Sequence, residues 1–381
     1  MIKAFLCSSS FFLLHSLSIS QNLHLKGQLL ASSITSNDVP DNWQAYESIF
    51  SYIPTLSFKK KNTTNELIDF EWAYKLNKYY VGDSLYDNDE NSHRLWVRYS
   101  NDKMEARFGL QKIIFGPTQI LRPLSWFDTF NIKDPSGQTD GVEAFKLQYF
   151  SSNMIGLSSW VINNKVDTLT YGGRGEITTA LGDFGFTYHK DPSRSKRSIG
   201  QIGTSVVDSH KRIAFDYRYD GFIGFWNESV IIKSTKSNIN LISIGADYTL
   251  PFLNGVYVMI ESMHIQNESK NLKSNQNFSA YMASLPIGMI HQATYISQRE
   301  WEENKTYQYL RWSSTYDSYS LNIIIYMNPK RNEYNIPLNS LPKALSGFGT
   351  GIQFMFIYNL SLIHISEPTR QEAISYAVFC L

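Results

Sequence analysis

Along residues 23–359 the chain alternates apolar and polar side chains in segments of about ten, punctuated by runs of Gly, Asn, Asp, Ser and Pro. Over 103–111, Met104, Ala106, Phe108 and Leu110 share one face, with Lys103, Glu105, Arg107 and Gln111 on the other. Over 94–100, Leu95, Val97 and Tyr99 oppose Arg94, Trp96, Arg98 and Ser100. Ile213, Phe215, Tyr217 and Tyr219 stand against Asp216, Arg218 and Asp220; Ile242, Ile244, Ala246, Tyr248 and Leu250 stand against Ser243 and Asp247. A period of two with one charged face predicts strands whose other face meets something apolar, either a second sheet or lipid.

The links between strands decide which. Tight turns are expected at 61–66, 100–102, 151–153, 182–183, 220–221, 251–255, 286–288 and 316–318. Longer polar links are expected between them, at 35–52, 79–92, 115–140, 165–172, 191–211, 234–238, 267–276, 298–305 and 328–347. A soluble sandwich has no cause to sort its links by parity, whereas a barrel in a membrane has one short-turn end and one long-loop end. The fold class expected is therefore all-β: a single-domain, transmembrane, antiparallel up-and-down β-barrel of about eighteen strands. Sixteen is the near alternative, because 35–52 and 191–211 could each hide or lose a strand. In the last strand Ile352, Phe354, Phe356 and Tyr358 alternate with Gln353, Met355, Ile357 and Asn359, so residue 360 is the next outward position.

Composition agrees with this pattern. Aromatics are 14% of the 381 residues, with 24 Tyr and 23 Phe, and many fall near expected strand ends, where Tyr suits a headgroup interface. Mean hydropathy is −0.27, and beyond the N-terminus no run approaches the ~18 apolar residues of a membrane helix. A formal charge of +1 gives no reason to expect nucleic acid as a partner. Residues 1–20 read as a secretory signal peptide: Lys3, an apolar stretch from Ala4 to Ile19, and Ser18 and Ser20 before the cleavage point. Residues 360–381 break the pattern and resemble the in-frame translation of a sequencing adapter, so 21–359 is taken as the barrel. With Cys7 in the signal and Cys380 in the tail, no thiol chemistry is expected of the barrel itself.

One segment departs from the alternation. Residues 107–142, RFGLQKIIFGPTQILRPLSWFDTFNIKDPSGQTDGV, carry Pro117, Pro123 and Pro135, which interrupt a ladder, and Gly116, Gly137 and Gly141, which mark bends. With this segment in view, the chain resembles porin-like outer-membrane channel proteins of Gram-negative bacteria. That resemblance implies a porin in the cell outer membrane, acting as a transport channel for passive or weakly selective diffusion of small polar solutes. It also implies that 115–140, the third long external loop, folds into the lumen. The constriction residues are then Lys112, Arg122, Trp126, Asp128, Lys133, Asp134 and Asp140 on or beside the loop. Arg94, Arg98, Glu105, Arg107 and Lys146 form the lumen wall. Opposed charges across a narrow aqueous pore orient solutes and bias ion selectivity. Arg122 and Asp128 could equally pair with each other, and Trp126 and Phe127 suit an anchor better than a sugar-stacking surface.

The competing readings are a barrel-embedded hydrolase and a structural or adhesive barrel. His24, His93, His189, His210, His264 and His291 show no motif, and Asp87, Asp89 and Glu90 lack the remainder of a calcium loop. The GxG pattern near Gly347–Gly351 lies at an expected strand start with no following helix. No catalytic residue, cofactor or metal is expected. The partners expected are outer-membrane lipid, small polar solutes and, through the last strand, the barrel-assembly machinery; a homotrimer is left open.

Overall fold

The computed structural model describes residues 23–41, 43–61, 65–152, 154–164, 168–194, 197–199, 204–206, 208–269, 272–334 and 345–361. The expected signal peptide and residues 362–381 of the tail lie outside them. The first nine strands are β1 (Leu23–Ser36), β2 (Tyr46–Lys61), β3 (Leu67–Val81), β4 (Ser84–Ser100), β5 (Met104–Gln111), β6 (Val142–Ser152), β7 (Ile155–Asn163), β8 (Leu169–Thr179) and β9 (Gly182–Asp191). A small separate hairpin follows, β10 (Arg197–Ile199) with β11 (Thr204–Val206). Then come β12 (His210–Asp220), β13 (Gly224–Ser234), β14 (Ser237–Leu250), β15 (Val256–Ser269), β16 (Leu272–Ile287), β17 (His291–Glu300), β18 (Lys305–Thr315), β19 (Tyr319–Met327) and β20 (Thr350–Ser361).

Eighteen of these form one antiparallel sheet. Each pairs with its neighbour in sequence, β9 passes over the small hairpin to pair with β12, and β20 closes on β1 from Ser36↔Gly351 to Lys26↔Ser361. Closure leaves no open edge, which a spanning sheet requires because lipid cannot hydrogen-bond a bare strand. Link 191–211 thus hides a hairpin that is not part of the barrel sheet, and among the described residues the barrel has eighteen strands.

The alternation sorts as expected. Leu95, Val97, Phe108, Phe186, Phe215, Ile242, Ile244, Phe354 and Phe356 are exposed on the outer surface, while Asp216, Glu228, Ser243 and Glu261 are buried inside. Phe108 is 64% exposed; that is stable for a side chain facing lipid and costly for one facing water. β20 keeps its phase through Leu360, which pairs with Gly27.

Four links expected to be long are hairpin tips, 298–305 among them, with only residues 301–304 between β17 and β18. Segment 79–92 continues β3 and β4 around Gly82 and Asp83, 234–238 turns at Thr235 and Lys236, and 267–276 continues β15 and β16. Where strands project past the lipid, both faces meet polar surroundings, so the ladder persists without an apolar face to betray it. Asp87, Asp89 and Glu90 therefore lie on β4 rather than in a loop. The extended links, 37–45, 112–141, 192–209 and 328–349, all leave the same end of the barrel, as the parity of the links requires.

Candidate functional site: the segment across the lumen

β5 stops at Gln111, whose buried side-chain amide donates to the Ala144 carbonyl at 2.9 Å and ties the strand end to β6. Beyond it the chain runs inward. Ile113, Phe115, Ile120, Leu121, Leu124 and Trp126 are buried with inward-facing Trp160 of β7, Val230 and Ile232 of β13, Leu241 of β14, and Met259 and Met263 of β15. A transmembrane barrel of this size has a polar interior unless something fills it. Here the apolar residues on the inner face of β13–β15 are matched by the apolar half of the segment, which removes both from water.

Crossing the lumen leaves backbone donors without a ladder. Two wall carboxylates satisfy them. Glu228 of β13 accepts the N–H of Thr118 at 2.9 Å and of Leu124 at 3.0 Å. Glu261 of β15 accepts the N–H of Gln119 at 2.8 Å, of Ile120 at 3.0 Å and of Leu121 at 2.7 Å. Both glutamates are 0% exposed. A buried carboxylate is tolerated only when such donors replace its water, and bonds to a charged acceptor are about twice as strong as neutral ones. Gly116 (φ +82°) lies where any Cβ would stand 2.1 Å from Glu228 Oε1, so close approach of the backbone requires glycine.

The second half of the segment reaches the remaining wall. Tyr309 of β18 donates its hydroxyl to the Lys133 carbonyl at 2.6 Å, the Lys133 ammonium donates to Gln298 of β17, and Gln138 donates to Gln28 of β1 at 2.8 Å. Within it, Thr129 and Thr139 cross-bond the two limbs, with Thr129 N–H on Thr139 Oγ1 at 2.9 Å and Asp140 N–H on Thr129 Oγ1 at 2.9 Å. A cavity of about 680 Å³ lies between residues 129–140 and the inner faces of β1–β3 and β18–β20.

No protein-family profile matches the sequence, and neither does any curated protein. Solved structures do match. OccAB4 of Acinetobacter baumannii superposes with a TM-score of 0.57 at 7% identity, over 89% of this chain and 98% of that one. OccK5 of Pseudomonas aeruginosa gives 0.55 at 6% identity, over 90% and 99%. OmpF of Salmonella typhi, solved with daunomycin, gives 0.51 at 9% identity, over 89% and 98%. The chain has the fold of bacterial outer-membrane porins.

Within this porin fold the expected site residues divide into three groups. Arg122 and Asp128 face each other: Nη1 donates to Oδ1 at 2.6 Å, with the side chains 4% and 0% exposed, and Arg122 also covers the Phe130 ring. Trp126 is buried, donates its indole N–H to the Pro123 carbonyl at 3.0 Å and lies under Arg212, so it anchors the segment. Lys112 lies over the Phe130 ring at 5.6 Å, and burial, then Arg94, lowers its pKa.

On the wall, Arg94 is buried and donates to the carbonyls of His93 and Thr139. Arg98 pairs with Asp69 at 2.5 Å and Glu105 at 3.2 Å, Glu105 also takes Arg107 at 2.9 Å, and Lys146 lies over Phe115 at 5.9 Å. Arg98, Arg107 and Lys146 are cross-strand neighbours, an adjacency of like charge that Asp69 and Glu105 offset. None of these wall residues lines the cavity; of the expected twelve, only Lys133, Asp134 and Asp140 do. Burial alone pushes the Lys133 ammonium down to about 8.

Glu228 and Glu261 were not expected. Their signal is present in FWNESVIIK and VMIESMHI: each is a single carboxylate on an inward face otherwise held by Trp226, Val230 and Ile232 or by Met259 and Met263. Lys75, Glu47, Tyr79, Tyr307 and Tyr326 of the cavity wall were missed as well. Among the histidines, His291 Nδ1 lies 2.9 Å from Ser314 Oγ, but among the described residues no carboxylate is hydrogen-bonded to that ring to orient it as a base.

Proposed function

We propose that the chain is an outer-membrane channel for passive or weakly selective diffusion of small polar solutes, with residues 112–141 setting its size limit. The observation that carries this is the crossing segment itself, bonded to β13 and β15 on one side and β17, β18 and β1 on the other, with a cavity of about 680 Å³ open along one flank. An obstruction fixed at so many points narrows a conduit without closing it. Lys133, Asp134 and Asp140 act at the narrow flank, Arg122, Asp128, Trp126 and Lys112 keep the segment in place, and Arg94, Arg98, Glu105, Arg107 and Lys146 set the potential of the neighbouring wall, β4–β6. Entry to the membrane follows secretion by the 1–20 signal, with the outward phase of β20 presented to the assembly machinery.

Conductance of the refolded chain in a planar bilayer tests this reading. A steady ohmic current in KCl is expected. Absence of current together with lipid or ester hydrolysis would replace the channel with the hydrolase reading.

A further inference from the structure

The flank left open by the crossing segment has a lining of unusual chemistry for a charged solute. Its charged groups are Lys75, Lys133, Glu47, Asp134 and Asp140, two cations against three carboxylates, carried on both the wall and the segment. Several are already engaged. Glu47 accepts the Trp43 indole N–H at 2.8 Å, Asp134 accepts the Ser136 N–H at 2.9 Å, and the Lys133 ammonium sits on Gln298. The strongest cations nearby are withdrawn: Arg122 is closed on Asp128, and Arg94 on two carbonyls. An ion of either sign therefore meets both signs at once.

The rest of the lining is amide, hydroxyl and, from Leu30, Ile34, Ile49, Ile53 and Met355, apolar. Its polar side chains are held in a mesh: Gln138 donates to Gln28 at 2.8 Å, Gln28 to Asn359 at 3.1 Å, and Gln353 to Ser32 at 2.6 Å, while Tyr326 donates to Gln353. Each amide presents a donor and an acceptor, so a fixed mesh of them matches a ligand whose hydroxyls do both. Tyr79 of β3, Tyr307 of β18 and Tyr326 of β19 add half-buried aromatic rings on the same flank. Flat apolar faces among convergent neutral hydrogen-bonding groups, in a volume of about 680 Å³, are the ingredients of a small-ligand site.

We propose that this flank is a binding subsite for neutral polyhydroxylated solutes of mono- to disaccharide size. The proposal rests on the channel reading and names the solute class that the channel favours. Hydroxyls of the solute exchange water for the Gln28, Gln138 and Gln353 mesh while its C–H faces lie on tyrosine rings; a carboxylate or ammonium at the same position meets Lys75 and Lys133 together with Glu47, Asp134 and Asp140, so attraction to one sign is offset by repulsion from the other.

The test is single-channel recording of the full chain in KCl with sucrose, gluconate or glucosamine added. Sucrose is expected to reduce the current saturably, with an apparent affinity at least about fivefold above that for gluconate or glucosamine. In Tyr307→Ala, the persistence of a KCl current reports folding, and sucrose block should weaken about three- to tenfold. A KCl current that all three solutes reduce equally, or that sucrose leaves untouched, overturns the subsite while leaving the channel. Absence of KCl current overturns the channel reading and the subsite together.

Discussion

Leu121 donates its backbone N–H to the Glu261 carboxylate at 2.7 Å, joining positions 140 residues apart across the interior of the barrel. Gln119 and Ile120 point the same way, so one side chain of β15 collects three successive amides. Replacing Glu261 with Ala leaves those donors without their acceptor at a buried site, at a cost of about 1–3 kcal/mol for each that water cannot reach. Single-channel recordings of Glu261→Ala should show frequent excursions to higher conductance. A trace as quiet as that of the parent chain would remove Glu261 from the positioning of the segment.

Arg122 and Asp128 give a different signature, because they form a closed buried pair. Arg122→Ala or Asp128→Ala alone should destabilise the folded barrel or its segment by about 3–5 kcal/mol, since each leaves an unpaired buried charge. The double variant Arg122→Met with Asp128→Leu should recover most of that loss. Thermal unfolding of the three variants measures this; equal losses in all three would mean the pair's charge is not what matters.

Lys133 confers a pH dependence whose sign is fixed by its depressed pKa. Between about 8 and its ordinary 10.5 the unfolded chain holds the extra proton, so this group makes stability rise with pH through that window. Below about 8 the folded chain carries a cation beside the cavity, and above it that charge is gone. The reversal potential in a KCl gradient should therefore move toward cation preference as pH rises through about 8. In Lys133→Gln the step at this pH should vanish.

The wall residues should separate by position. Lys75 lines the cavity, whereas Arg98 is occupied by Asp69 and Glu105 away from it. Reversal potentials should shift toward cation preference in Lys75→Gln and change less in Arg98→Gln. The opposite ranking would place the ion path beside β4–β6.

Much of this architecture is written in the period of two. Phe108, Ile242 and Phe354 point out and Arg107, Ser243 and Gln353 point in because a strand face has no third option, so the barrel was legible without any matching relative. The strands that leave the lipid were not: Asp87, Asp89 and Glu90 look like loop because a strand wetted on both faces loses its apolar stripe. The crossing segment announced itself by Pro117, Pro123 and Gly116, but its path depends on partners more than a hundred positions away. That is why Glu228 and Glu261 escaped notice, and why Arg122 and Asp128 could be read as facing water until their 2.6 Å contact was seen.

Obstruction of the conducting path by residues 112–141 is measured most directly by the single-channel conductance of a chain lacking 116–137. Removing the obstruction should raise the conductance by roughly twofold or more, since the narrowest section limits the current. A shortened chain that still assembles and conducts no better than the parent would contradict the account.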